Sequence, residues 1–312
     1  MNMKTGSPLF NKGRGFILLS VMFTVTLLIT SATAFAWFAR NEMQRARSEI
    51  FMLQARSVAE IACRAAGERI AKDKNGYDSY TEPLYLKVGF LKFIFGDFEA
   101  KVRISPMDDK ISFAAILLPD GVTVRKEYEY AWERIWENLK HDELNAVVID
   151  FIDNDTHQRI GGRESSYNIN RTPAGLSELK LLPEIDDGIL YGTKKVPIGF
   201  SHYINIYGGD KININTARPE VVAILDSRLG KAAADGLLAA RAARPIKSNE
   251  ELANISGFSK TVVTKLTNII GFESQYFRVD IDVQNNISGE ERKYKAILKR
   301  GGNACKLICW EE

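Results

Sequence analysis

The sequence predicts an α+β fold: a long N-terminal helix packed on a small antiparallel sheet, with a large all-helical domain inserted between the strands. Three observations predict it. The stretch from Phe16 to Ala71 holds no proline and one glycine, Gly67, and carries no charge before Arg40. Segments alternating in polarity stand both early, around Phe98–Ser105, and late, from Tyr276 onward. Between them the apolar residues recur at helical spacing, so helices interrupt a sheet begun before them and finished after them.

The helix comes first. Its apolar part, from Phe16, exceeds the roughly 20 residues that span a bilayer. Apolar residues at Ile50, Leu53, Val58 and Ile61 continue it as an amphipathic helix beyond that part. Lys4, Lys12 and Arg14 precede the apolar run, which places the N-terminus on the cytoplasmic side and the bulk of the chain across the membrane. The basic leader ends abruptly at Gly15. A secretory signal is cut after its apolar core, whereas here the break precedes it. A cut between Gly15 and Phe16 keeps the helix on the mature chain. Of 312 residues, removal of 15 leaves 297, enough for one large or two modest domains.

After a turn-rich stretch (Asp73–Glu82), Phe93–Phe95 and Phe98–Ser105 read as strands, the second half-buried, with Val102 and Ile104 on one face. Ile111–Leu118 reads as a further strand or a helix start. Val124–Leu190 reads as helical, with Tyr128, Trp132, Ile135 and Leu139 on one face, and Leu176–Leu182 as a short helix stopped by Pro183. A third helical block covers Thr216–Ile270. Strands return at Tyr276–Gln284, Lys293–Arg300 and Ala304–Trp310, with a hairpin turn at Gly301–Asn303.

The formal net charge of +3 does not argue for a polyanion partner. Three cysteines, Cys63, Cys305 and Cys309, leave an odd thiol. Cys305 and Cys309 lie too far apart on a straight strand to bridge. A bridge from Cys63 to either and three free thiols both remain open.

Three segments are candidates for chemistry. In Ile149–Glu164, Asp150, Asp153, Asp155 and Glu164 flank a Gly-Gly turn, and such oxygen-rich loops can hold calcium. The spacing is not that of an EF-hand, and by itself it is better explained by a solvated acidic loop capping a helix. His157, in the same loop, is a lone surface histidine. In Lys211–Leu225, Asn215 or Thr216 is placed to cap the following helix, with Pro219 and Glu220 in its first turn. In Arg244–Leu266, Ser248 and Glu251 form a capping box, and the turn at Gly257 looks like a helix-hairpin-helix, with Ser259 where a second glycine is usual. Lys211–Gly271 carries nine Lys or Arg and five Asp or Glu, a balance of +4 and a weak footprint for phosphate binding. A compact helical module for packing or protein contact explains the segment as well. With three histidines and no nucleophile elbow, zinc spacing, P-loop or dinucleotide fingerprint, an enzyme is the least supported class.

The R-G-F-I-L-L-S-V junction resembles that of the type IV prepilins, which are cut after glycine and assemble through the retained helix. Ser20, fifth after the cut, stands where most pilins carry Glu. In that family the carboxylate pairs with the N-terminal ammonium of the subunit ahead, so its lack suits a subunit at the fibre tip. I-D-F-I-D-N-D with G-G-R-E-S-S-Y, S-E-L-K-L-L-P-E-I, I-N-I-N-T-A-R-P-E-V-V-A-I-L and S-Q-Y-F follow one another as in the type II secretion minor pseudopilin K family (general secretion pathway protein K), which the chain closely resembles. It departs at Phe151, where the family has Trp, at Ile111–Ala114, where N-L-N is usual, and in a less acidic surrounding of Arg163.

The resemblance implies a non-enzymatic subunit of the inner membrane, single-pass, with its bulk in the periplasm and its place at the tip of the pseudopilus. Its partners would be other minor pseudopilins, the major pseudopilin shaft, the prepilin peptidase, and secreted substrates or the outer-membrane channel. It further implies N-methylation of Phe16, and structural calcium in the insert on Asp150, Asp153, Asp155 and Glu164. The expected divisions are a leader at 1–15, a membrane part of the helix at 16–38, and a pilin-like domain at 39–118 and 273–312. The insert is expected at 119–272, with its hairpin-like segment at 211–271. Two alternatives stand: a membrane-anchored helix-hairpin-helix nucleic-acid receptor using Lys260 and Lys265, and a minor subunit of a type IV pilus.

Overall fold

The computed structural model describes residues 12–85 and 90–312, with backbone alone for 12–14. Of the expected leader, residues 1–11 lie outside the described residues. Helix α1 (Lys12–Lys72) passes through Gly15 and Phe16 without a break. The chain divides into two units, Met1–Ser57 and Val58–Glu312.

In the first unit the described part is helix alone. Its apolar side chains from Phe16 to Phe38 are exposed, and the helix is long and apolar enough to cross a membrane. The hydroxyls of Thr24, Thr26, Thr30 and Thr33 each donate to a carbonyl three or four residues back. Polar side chains in a bilayer segment have to be satisfied within it in this way.

In the second unit the last turns of α1 bury Ala59, Ala62, Ala66 and Ile70. At Gly67 a Cβ would lie 3.4 Å from both Cys305 and Leu298, so helix and sheet pack closely there. Cys63, Cys305 and Cys309 are free thiols. The sheet has five antiparallel strands in the order β1-β2-β7-β8-β9: β1 (Leu91–Phe95), β2 (Phe98–Pro106), β7 (Tyr276–Asn285), β8 (Glu291–Arg300) and β9 (Cys305–Glu311). Its register explains the alternation. Ala100, Val102 and Ile104 face Val283, Ile281 and Val279, all buried, whereas Lys101 and Arg103 stand opposite Asp282 and Asp280 on the other face.

The insert lies between β2 and β7, which are neighbours in the sheet. The chain leaves at Pro106 and returns at Phe277, its direct register partner, and the Met107 amide donates to the Tyr276 carbonyl at 2.8 Å. A segment whose ends lie side by side can be long without disturbing the ladder. The insert's core starts at Ile111, ahead of the boundary expected at 119, and runs to Ile270. Its helices are α2 (Lys126–Leu139), α3 (Leu144–Ile152), α4 (Asp187–Tyr191), α5 (Pro219–Val222), α6 (Lys231–Ala243), α7 (Asn249–Ala253) and α8 (Lys260–Leu266). Two short parallel pairs complete it, β3 (Ile111–Ser112) with β4 (Ile204–Asn205) and β5 (Ile212–Asn213) with β6 (Ile270–Gly271). The insert is thus mostly, but not wholly, helical.

Two sequence expectations change here. The helical reading of Val124–Leu190 holds for α2, where Tyr128, Trp132 and Ile135 are buried and Leu139 partly so, and for α3, then fails. Beyond Ile152 the chain is loop and 3-10 turn until α4, and Leu176–Leu181 is itself 3-10. Gly161, Gly162, Pro173 and Pro183 break the pattern there. The expected cap at Asn215 or Thr216 is also absent. Arg218 precedes α5, with Pro219 and Glu220 in the first turn as expected. Asn215 instead accepts from the Ile246 amide and donates to the Ile246 carbonyl, both at 2.8 Å, strapping two distant backbone segments together.

Candidate functional site

The acidic loop is held by its own backbone. Asp153 ends α3, and the chain turns back through Gly161 and Gly162. Asp150, fully buried, accepts from the Arg159 amide through both oxygens, at 3.3 and 3.2 Å. A Cβ at Gly162 would fall 2.1 Å from one of those oxygens, so only glycine lets the loop close on this carboxylate. Asp150 therefore organises the loop.

Asp153, Asp155 and Glu164 come together, each offering an oxygen within 4.8 Å of the others. That spread suits one cation, because two oxygens bound at about 2.4 Å to the same ion lie at most about 4.8 Å apart. Each carboxylate is partly used. Asp153 Oδ2 accepts from Arg159 Nη2 at 3.0 Å, Asp155 Oδ1 from the His157 amide at 2.7 Å, and Glu164 Oε2 from Asn168 Nδ2 at 2.8 Å. Asp153 Oδ1 and Glu164 Oε1, however, are buried without any hydrogen-bond partner. Burial pushes the Asp153 carboxyl up to about 6, and Asp155 and Asp150 push it the same way against Arg159. The Glu164 carboxyl is raised by burial and by Asp150. Four carboxylates thus face one guanidinium, and the two orphaned oxygens are the donors a hard cation takes. Arg159 was not singled out in the sequence. Nor was Asn170, whose positive φ of 49° and buried, unpaired Oδ1 mark it in the same loop.

The hairpin segment folds as its sequence suggests, and two of its cations, Arg228 and Lys265, are paired within the chain. Ser248 accepts from the Glu251 amide at 3.3 Å, and Glu251 reaches back to the Lys247 amide, one residue before the expected Ser248, at 3.0 Å. Ser259 caps α8 by accepting from the Val262 amide at 3.4 Å, so the serine at the second glycine position has a structural task. Gly257 has a φ of 91°, and a Cβ there would meet Ala233 at 2.4 Å. The turn is packed against α6 at Gly257, so no side chain fits there. Lys265 pairs with buried Asp226 at 2.8 Å, and Arg228 grips the same carboxylate at 2.8 and 3.1 Å.

At the other end of the chain, the Ser20 hydroxyl donates to the Ile17 carbonyl at 2.9 Å and so needs no partner from outside its helix.

The family model described as "Type II secretion system (T2SS), protein K" matches residues 212–272, which hold the hairpin segment. The fold is similar to a chain of the crystal structure of the GspK-GspI-GspJ complex from the enterotoxigenic Escherichia coli Type 2 Secretion System. That similarity has a TM-score of 0.62 at 17% identity and covers 88% of this chain and 98% of the other. No curated protein sequence matches.

Proposed function

We infer that this chain is a protein K of a type II secretion system: a minor pseudopilin that caps the periplasmic pseudopilus and helps to start its assembly. One observation carries this reading. The protein K sequence sits in an insert between two adjacent strands of a sheet that packs on a long helix, and that helix is apolar enough to anchor the chain. As in the solved complex that names GspI and GspJ beside GspK, the partners would be the two other minor pseudopilins of the same system. The function is assembly rather than catalysis.

The membrane part of α1 would be the unit of assembly, retained after a cut between Gly15 and Phe16. Ser20, satisfied within its own helix, offers no carboxylate to a preceding ammonium, as fits a subunit with none ahead of it. Residues 16–38 would cross the inner membrane, with the second unit in the periplasm. Mass spectrometry of the mature protein is expected to find Phe16 as the first residue, N-methylated. A mature chain beginning at Met1 would remove the basis for assembly through the helix. It would favour the nucleic-acid receptor, which the internal pairing of Lys265 otherwise disfavours.

Calcium is proposed as a structural ion on Asp153, Asp155 and Glu164, with Asp150 holding the loop. It would neutralise the excess carboxylates and satisfy the two orphaned oxygens. An ion that binds only the folded state stabilises by about 3–4 kcal/mol at 100 to 1,000 times its Kd. Chelation is therefore expected to lower the melting temperature by about 5–15 °C, and Asp153→Asn together with Glu164→Gln should abolish that response. A melting temperature indifferent to chelator would refute the calcium site and leave the assembly reading standing.

A further inference from the structure

A second polar site lies away from the acidic loop, where the sheet meets the insert. A cavity of about 240 Å³ is lined by Arg103 on β2, Arg278 on β7, and Lys110, Arg218, Asn205 and Tyr80 around them. Four cations from three parts of the chain converge on it; one carboxylate, Asp109, also lines it, and this and the neighbouring Asp280 are already engaged. Asp109 is held by Arg218 Nε at 2.8 Å and by Asn205 Nδ2 at 3.2 Å. Asp280, opposite Arg103 across the β2–β7 ladder, is held by Arg278 Nε at 3.0 Å. Arg103 itself is exposed and makes no hydrogen bond or ion pair among the described residues.

Lys110 shows the imbalance most clearly. Its ammonium is half-buried and donates to the Ser201 carbonyl at 2.8 Å, leaving further N–H donors free. Burial pushes its pKa down to about 8, Arg218 and Arg278 push it the same way, and Asp109 alone opposes. A desolvated cation with no carboxylate in contact is costly, and an entering anion would relieve that cost. Forked guanidinium groups with an ammonium beside them suit oxygens of a planar carboxylate or a tetrahedral phosphate.

We propose that this cavity is an anion-binding site, taking a phosphate or carboxylate group between Arg103, Lys110, Arg218 and Arg278 at the joint of sheet and insert. A bound anion ties β2 and β7 to the insert residues Lys110 and Arg218, so it stiffens the joint. The ligand is either a small free oxyanion or an acidic stretch of polypeptide, and the same chemistry serves both.

Isothermal titration of the full chain in a non-ionic detergent, at constant ionic strength in chloride, tests this. The probes are inorganic phosphate, citrate and the peptide acetyl-Asp-Glu-Asp-amide. Saturable binding of at least one is expected, weakened about tenfold or more in Arg103→Ala and unchanged in Lys293→Ala, a cation of the same sheet outside the cavity. Phosphate or citrate alone identifies a free anion, and the peptide alone identifies an acidic polypeptide. Absence of binding by all three overturns the proposal. So does an equal loss in both variants, which would mean diffuse attraction to a basic surface. Arg103 has no hydrogen-bond or ion-pair partner among the described residues, so its variant should melt like the parent chain; unaltered binding by a normally melting Arg103→Ala also overturns it.

Discussion

Replacing Asp78 with alanine is expected to destabilise the chain by about 3–5 kcal/mol, the usual cost of stripping one partner from a buried ion pair. Asp78 is fully buried and binds Arg300 through two N–H groups, at 2.9 and 2.7 Å, while the Ser274 amide donates to the same carboxylate. Its carbonyl accepts from Asn213 Nδ2 at 2.9 Å, and its amide donates to the Phe272 carbonyl at 2.8 Å. Arg300 also donates to the Tyr85 hydroxyl at 3.0 Å and lies over the Phe277 ring. The loop after α1, the end of the insert and strand β8 thus meet at one carboxylate. The alanine variant leaves a guanidinium, mostly buried, with only the exposed Glu273 carboxylate at 3.6 Å as counter-charge. Thermal unfolding should shift down by about 10 °C or more. The double change Asp78→Leu with Arg300→Met should recover much of that loss, because two apolar groups leave no buried charge unpaired, and Glu273, the other partner of Arg300, is exposed. A single variant within about 0.5 kcal/mol of the parent chain would show that the pair does not hold this joint.

Phe200→Ala should cost a similar amount, about 3–5 kcal/mol, for a different reason. Phe200 stacks on Trp136 with centroids 5.0 Å apart and meets Phe113 and Trp132 edge-on at 5.9 Å each. It is fully buried at the centre of the insert's core. Removing the ring empties a space that three large, mutually packed rings cannot refill, so transfer and cavity terms add. Phe200→Leu should cost less, about 1–2 kcal/mol, since more of the volume stays. Tryptophan fluorescence should report the change directly, through Trp132 and Trp136.

The strands were the most legible part of the sequence because their signal is local. Alternation gave Tyr276–Gln284, Lys293–Arg300 and Ala304–Trp310, and the strands are Tyr276–Asn285, Glu291–Arg300 and Cys305–Glu311. The long helix was equally plain from its lack of breakers. The insert was legible in its helices and not in its seams. The pairs β3–β4 and β5–β6 join residues far apart in sequence, two at a time, and so short a parallel ladder leaves no periodicity to read. Ile111–Leu118, which reads as a further strand or a helix start, holds β3 and a 3-10 turn and packs into the insert's core. In the acidic loop the sequence showed which carboxylates were present but not which of them converge. Three meet and the fourth, Asp150, is turned to the Arg159 amide, a difference set by loop closure at Gly162. Asn215 and Ser259 show the same limit: residues of capping type occur at both positions, and only tertiary packing decides which one caps.

The proposed function places this chain beside two minor pseudopilins at a pseudopilus tip, and stoichiometry tests that proposal most directly. The full chain would be co-expressed with the GspI and GspJ counterparts of its own secretion system and the purified assembly weighed by native mass spectrometry. The account predicts one copy of each in a single ternary complex. Recovery of the chain alone, or of repeated copies incorporated along a fibre of the major subunit, would contradict it.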